Sequence, residues 1–556
     1  MKKLYITFIA VCSIVLYSCS DYLDKYPLEG PSSETYLTNE TELLSALNGI
    51  YSMNTYGTAD EMTLATALDA ATDIGYNRNA GGLQQLGNGN ADTNNDYVNG
   101  VWLNAYKVIG RCNYLLDNMH KAEANTSPDT YKAIRAEARF VRAYTYHYLI
   151  ESFGGVPLVT TMLSLDESLV PRSSKEDVLN FIMDELKEAA ADLPDDYKGT
   201  GRAAKSAALT IRARAALYNS KWDIAAQDAG TVIAMKTHSL HNNFEDLFKY
   251  AGQESNEIIW AHQYLTSAKK TTSTTANLLS RNGKGYSNKV PSQSLVDAYQ
   301  CTDGKDIDKS LLYDPEKPFE NRDPRLTYTI AVPGSVFFGY QFETHKDSLK
   351  CWNYNVNPAV RIDNQDGINA YASFTGYCWK KYVDISDKGN PNASQLNATI
   401  IRYAEVLLIY AEAKIEANQI DQSVYDALNE VRQRPTVDMP AIPTGLSQTA
   451  LRAIVRKERL YELAMEGFRW YDIRRWKIAE KVMNGSFYGR IPRGLLSSAP
   501  VIDENGVPNY NSVANKAEMR IVEQRKFNNT NSRDYLWPIP ERERTTNPNL
   551  EQNPGY

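Results

Sequence analysis

The sequence has no surplus of positive charge. Its 556 residues carry 60 Lys+Arg against 67 Asp+Glu, a net charge of -7, so there is no basic excess to collect phosphates and a nucleic-acid partner is not expected. Cysteine is scarce and unpatterned: Cys12, Cys19, Cys112, Cys301, Cys351 and Cys378 include no CxxC pair, which removes zinc-knuckle and thioredoxin-type readings. The six histidines are scattered without an HExxH or comparable ligand cluster. No P-loop, GxGxxG or Ser-His-Asp arrangement can be assembled, so neither catalysis nor a cofactor or metal is expected. Beyond position 17 no apolar run is long enough to cross a bilayer as a helix, so a membrane span is not expected.

What the sequence does contain is tyrosine: 37 residues, against 14 phenylalanines and 8 tryptophans. Tyrosine has a flat apolar face and a polar tip, which suits cores, interfaces and sugar-binding surfaces. The 43% hydrophobic and 23% charged fractions are those of a folded chain.

Lys2 and Lys3 precede an apolar run over 4–17. That is shorter than the roughly 20 residues a bilayer-spanning helix needs, so it reads as an export signal. The run ends in Leu16-Tyr17-Ser18-Cys19, which resembles a bacterial lipoprotein cleavage box with Cys19 as the lipidated first residue. Residues 1–18 are then removed, and acyl chains hold the body to a membrane.

Apolar spacing predicts helices from Asn39 through Tyr51, around Trp102–Asn113, over 131–152 and over 176–193, the last stopped by Pro194. A pair follows over 202–235, turning at Asn219-Ser220-Lys221. Its small-residue stripe (Ala204, Ala207, Ala208, Ile211, Ala215) and the Trp222-then-Ala pattern suit a tetratricopeptide-like unit. Residues 73–97, rich in Gly and Asn, read as a long surface loop. From 240 to 395 periodicity weakens into loops with short β-like runs such as Glu257–Trp260. Helices return over 399–418, where apolar residues on all sides predict complete burial, then over 421–434 and, as one long helix, over 448–477. The tail, 535–556, reads as irregular.

In the segment 456–476, Glu458 falls on the apolar stripe. A buried carboxylate is costly unless paired, which predicts an arginine partner, Arg402 or Arg432, and a structural ion-pair network. The Asp363–Gly367 and Asn88–Asp96 runs do not match an EF-hand spacing and read as solvated turns.

Taken in order, a set of motifs resembles the SusD/RagB family of outer-membrane lipoproteins over nearly the whole chain. They include Cys19 with Asp21-Tyr22-Leu23-Asp24, Glu137-Ala138-Arg139-Phe140 leading to Phe153-Gly154-Gly155-Val156-Pro157, and Asp323-Pro324-Arg325-Leu326. Further on come Arg402 with Ala404-Glu405, Glu458-Arg459 with Glu462, Glu466-Gly467, Arg469 and Asp472, then Trp537-Pro538-Ile539-Pro540 and the closing Asn553-Pro554-Gly555-Tyr556. The resemblance implies a mainly α fold, a tetratricopeptide-like helix-pair scaffold with long loops and a few short strands. The implied division is 19–240 for the N-terminal helical region and 241–556 for a loop-rich middle and helical end. It also implies an outer-membrane nutrient-binding lipoprotein, usually for a glycan, acting with a TonB-dependent transporter of the SusC type. Two other readings stay open: peptide capture in the RagB manner, and a transporter lid without its own ligand.

The family's motifs are scaffold and supply no ligand residue. Candidates come instead from aromatics in aperiodic segments, where no helical stripe explains them and where sugar C–H faces could stack: Tyr76 with Asn77 and Arg78, Tyr286 with Asn288, and Trp352 with Tyr354.

Overall fold

The computed structural model describes residues 36–53, 62–197 and 201–556; Cys19 and the export signal lie outside them. Among the described residues ten α-helices are eight residues or longer: α1 Glu40–Tyr51, α2 Asp96–Asn118, α3 Pro128–Phe153, α4 Lys175–Asp192, α5 Lys205–Tyr218, α6 Trp222–Met235, α7 Tyr403–Glu416, α8 Gln422–Arg432, α9 Gln448–Leu463 and α10 Phe468–Arg475. Caps set several starts. Asn39 accepts from the Glu42 amide (3.1 Å), while Glu42 reaches back to the Thr38 amide (2.8 Å). Ser127, Ser174 and Ser447 cap α3, α4 and α9 through their side-chain oxygens.

Helices α2 to α6 pack each against the next, and α7 continues the row by packing on α6 before α8 and α9 follow. The row is therefore one helical scaffold, interrupted in sequence between Met235 and Tyr403 but continuous in space. At the α6–α7 join Gly230 faces the Tyr410 ring, which an added Cβ would approach to 3.2 Å. One hydrophobic core runs from Leu37 to Leu550. The tail contributes Trp537, whose ring meets Tyr97, Phe153 and Trp470 and whose amide donates to Ser152 O (2.7 Å). The Trp-Pro-Ile-Pro motif is thus a clasp between α2, α3 and α10.

Four expectations are corrected. Residues 73–97 are not a loop of one piece: they form a strand β1 (Gly75–Asn77) and a helix over Gly82–Asn88, both largely buried. The segment begun at 399 opens as a strand over Ala398–Arg402, paired antiparallel with Ile258–His262, and only then turns helical. The β-like run near Trp260 has its partner there. Helix α7 is, as expected, buried almost all round. The span 448–477 is two helices, because Met465 and Gly467 adopt positive φ and a Cβ on Gly467 would lie 2.1 Å from the Ala65 carbonyl oxygen. The segment Asp363–Gly367 is not a solvated turn, since Asn364 and Asp366 are buried.

Glu458 is fully buried and meets Arg432 (2.8 Å) and Arg325 (2.5 Å). Arg402, the other expected partner, instead binds Glu257, Glu462 and Glu466 at 2.7–2.8 Å. Arg434, Lys381 and Asp323 complete the cluster. Its arginines and lysine match its carboxylates one for one, so it is neutral as a whole. It is also buried, which is tolerable only because nearly every group is hydrogen-bonded.

Candidate functional site

Strand β1 pairs antiparallel with a second strand, β2 (Lys289–Pro291), in the register Tyr76↔Val290 and Asn77↔Lys289. The Arg78 amide extends the ladder to Asn288 O (2.7 Å). Two candidate groups far apart in sequence, 76–78 and 286–288, are thereby brought side by side.

Their side chains have different fates. Tyr76 is 5% exposed, its ring packed against Phe374 (6.3 Å) and Phe487 (5.9 Å), and it offers little free face. Asn77 and Asn288 are also buried; Asn77 donates to Asn79 O and Asn288 to Asn277 Oδ1 (2.7 Å). These three build the floor. Arg78 lies at the surface above them. Its Nη1 donates to Tyr371 O (2.6 Å), and its guanidinium sits 5.2 Å from the Tyr371 ring and 5.6 Å from Phe374. Burial lowers the Arg78 pKa from its ordinary value. Tyr286 is 40% exposed, its hydroxyl donating to Asn392 Oδ1 (2.8 Å).

Tyr371, 62% exposed, is a half-open ring that the sequence reading missed. It lies in an aperiodic segment and carries the same signal as the other candidates. Only its contact with Arg78, from a distant part of the chain, distinguishes it.

Trp352 and Tyr354 belong to a neighbouring antiparallel meander of four strands, Val336–Phe337, Tyr340–Gln341, Lys350–Asn353 and Val360–Asp363. Strand alternation puts Cys351 inward and Trp352 outward, 38% exposed, with Arg361 of the next strand 5.3 Å over its ring. Tyr354 is 46% exposed.

The meander is tied to the Tyr286 loop through Asp366. This carboxylate accepts from the Arg281 amide (2.6 Å) and from Asn282 Nδ2 (2.8 Å), and Asn282 in turn bridges to Asn364 and to the Gln365 amide. Burial pushes the Asp366 carboxyl up to about 6. The loops carrying Arg78, Tyr286, Tyr371 and Trp352 are therefore cross-linked by hydrogen bonds and carry aromatic faces open to solvent. Rings with amide and guanidinium groups beside them suit an amphipathic ligand with apolar C–H faces and many hydroxyls. Among the described residues no group of three or more His, Cys, Asp or Glu side chains could hold a metal ion, and no helix is long and apolar enough to cross a membrane.

A family model described as SusD family matches residues 256–556, and a second, described as starch-binding associating with outer membrane, matches 21–217. The chain belongs to the SusD/RagB family. It is similar to SusD-like protein P2 of Formosa agariphila, 29% identical over the full length of both chains. It is also similar to the starch-binding protein SusD of Bacteroides thetaiotaomicron, 30% identical over 27% of each chain. Among solved structures, a SusD-like carbohydrate-binding protein from Bacteroides fragilis superposes with a TM-score of 0.80 at 30% identity, covering 93% of this chain and all of that one. The helical scaffold is thus a SusD-type fold, mainly α and tetratricopeptide-like.

Proposed function

We propose that this SusD-family protein captures oligosaccharide at the outer-membrane surface without cleaving it and hands it to a SusC-type TonB-dependent transporter, itself held by lipid at Cys19. The observation that carries the binding step is the open aromatic surface of Tyr286, Tyr371 and Trp352, with Arg78 and Arg361 against two of the rings. Sugar rings stack their C–H faces on such aromatics, and their hydroxyls take hydrogen bonds from the flanking polar groups. The family match and the carbohydrate-binding relative from Bacteroides fragilis support the ligand class. The transporter partner and the lipid anchor rest on the family resemblance and on the Leu16–Cys19 box.

The test is a glycan-array screen of the full-length protein in a non-glycosidic detergent, followed by calorimetry with the selected oligosaccharide on wild type and Tyr286→Ala/Tyr371→Ala. Binding to the array and its loss in the variant are expected. Absence of any glycan binding together with binding of oligopeptides would move the protein to the RagB-like reading. Shortened sugar products would overturn the non-cleaving role. Co-purification of a TonB-dependent transporter from solubilised outer membranes checks the partner, and fatty-acid labelling lost in Cys19→Ala checks the anchor.

A further inference from the structure

The loop surface carries cations as well as open rings, and these cations lack counter-charges. Arg520 leads into a strand over Ile521–Arg525, paired antiparallel with Gly485–Tyr488. Its guanidinium carbon lies 4.5 Å from the centre of the Phe374 ring, and that of Arg78 lies 5.6 Å from the same ring. Two positive groups from opposite ends of the chain thus share one half-buried aromatic.

Neither group is saturated by the protein. The Arg520 guanidinium donates no hydrogen bond among the described residues, and its nitrogens are open to solvent. Arg78 uses only its Nη1, on the carbonyls of Tyr371 and Ser287. Two further cations stand close by. The charge of Arg281 acts on Arg78, and Lys346, whose Nζ donates to Gly367 O (2.8 Å), feels Arg520. None of the four has a carboxylate among the described residues within ion-pair distance. The carboxylates around this surface are committed elsewhere: Glu523 to Arg525 (2.9 Å), Asp347 to Arg493 (3.0 Å), and Asp366 to the Arg281 amide and Asn282. Burial lowers the pKa of Arg78, Arg520 and Lys346, and like-charged neighbours lower those of Arg78 and Lys346 further, as expected of charge taken from water without compensation.

The chain as a whole is negative, with a net charge of -7, so this positive excess is local. A neutral ligand covering these groups would strip water from them and supply no counter-charge, which is costly. A carboxylate or a sulfate ester supplies one, and a guanidinium binds such oxyanions through two parallel hydrogen bonds. Resting on the oligosaccharide reading of this surface, we infer that its ligand is an acidic glycan, with anionic groups held by Arg78 and Arg520 and a C–H face laid against Phe374. Arg281 and Lys346 raise the positive potential around them.

The test uses the full-length protein in a non-ionic, non-glycosidic detergent and an array holding three sets of probes. These are oligogalacturonides for the carboxylate, carrageenan oligosaccharides for the sulfate ester, and neutral malto-, laminari- and xylo-oligosaccharides. Binding is expected to at least one acidic set. Calorimetry on that probe should show affinity falling tenfold or more after carboxyl reduction or desulfation, and the treatment that acts tells carboxylate from sulfate. Arg520→Gln should weaken the acidic probe about tenfold or more, the worth of one hydrogen bond to a charged group, and leave its neutralised form unchanged; Arg520→Lys should recover part of the loss. Raising the salt from about 50 to about 500 mM should weaken the acidic probe and not the neutralised one. Hits among the neutral probes alone overturn the acidic specificity and leave the oligosaccharide reading standing, whereas no hit in any set overturns both. Unchanged affinity in folded Arg520→Gln also overturns the inference. Should that variant fail to fold, the wild-type comparison of the acidic probe with its neutralised form decides, and equal affinities there overturn it.

Discussion

Arginine is used in two opposite ways in this molecule. Beneath α7, α8 and α9, Arg325, Arg402 and Arg434 are sealed from water and surrounded by Glu257, Glu458, Glu462 and Glu466 at hydrogen-bond distance. On the loops, Arg78 and Arg361 lie over the rings of Tyr371 and Trp352, with no carboxylate among the described residues recorded within ion-pair distance. In the first place nearly every hydrogen-bonding position is occupied by the protein, so little capacity is left for a ligand and any deletion strands a buried charge. In the second, rings and guanidinium edges remain available. Buried charge is concentrated in the first region, but the open binding surface belongs to the second.

The sharpest way to break this contrast is inside the cluster. Glu462 accepts from Arg402 and Arg434 (each 2.7 Å) and from Arg325 (3.0 Å). Burial by itself would raise its pKa, and the three arginines override this and hold it well below the usual carboxylate range. Glu462→Ala should cost about 3–5 kcal/mol in urea unfolding; a loss under about 1 kcal/mol would show that the cluster is not what holds the C-terminal helices. Next, Gly467→Ala should cost at least about 2 kcal/mol, combining left-handed strain with the approach to the Ala65 oxygen. An unchanged melting temperature would mean the α9–α10 break does not need glycine.

On the loop side the effect should fall on affinity alone. Tyr286→Ala/Tyr371→Ala should weaken oligosaccharide binding about tenfold or more, since two stacking platforms together exceed the roughly 1.4 kcal/mol of one decade. Its thermal stability should stay near wild type, because both rings are half-open. A large drop in stability with unchanged affinity would reverse the comparison.

The smallest effect is on pH dependence. Burial pushes Asp69 up to about 7 and Asp228, Asp297 and Asp366 up to about 6. A carboxyl raised in the folded state adds stability that is complete below its unfolded value, near 3.8, and is lost as the pH climbs through about 6 to 7. Glu257, Glu412, Glu462 and Asp472 act oppositely. Burial would raise them, but neighbouring arginines hold them down, so their contribution is present above about 4 and is lost only as the pH falls further. Burial also holds His147 and His262 below the usual imidazole value, and their contribution runs the other way, present at pH 8 and lost as the pH falls below 6.5. The carboxyl effect is therefore read by difference: Asp69→Asn, which keeps an acceptor for the Glu466 and Gly467 amides, should lower the melting temperature at pH 5 relative to that at pH 8. A pH difference in the variant equal to that of wild type would refute the assignment.

Much of the scaffold was legible beforehand. Periodicity marked α1, α3 to α6 and α8 closely and the middle of α2, the start expected at Asn39 is a real cap, and Glu458 on an apolar stripe implied an arginine, found as Arg432. The misses have physical causes. The break after Leu463 is decided by the Ala65 carbonyl pressing on Gly467, and the strand at Ala398 by its distant partner strand Ile258–His262. Tyr76 looked like a free aromatic because its covering residues, Phe374 and Phe487, lie far downstream.

By itself, then, the sequence determined the helical class, the family and the need for buried ion pairs, because helix period, caps and the price of an unpaired charge are local or near-local physics. Which arginine meets which glutamate, and which tyrosines are floor and which are open face, were decided only by tertiary structure. Burial and hydrogen-bond saturation depend on atoms that arrive from distant parts of the chain.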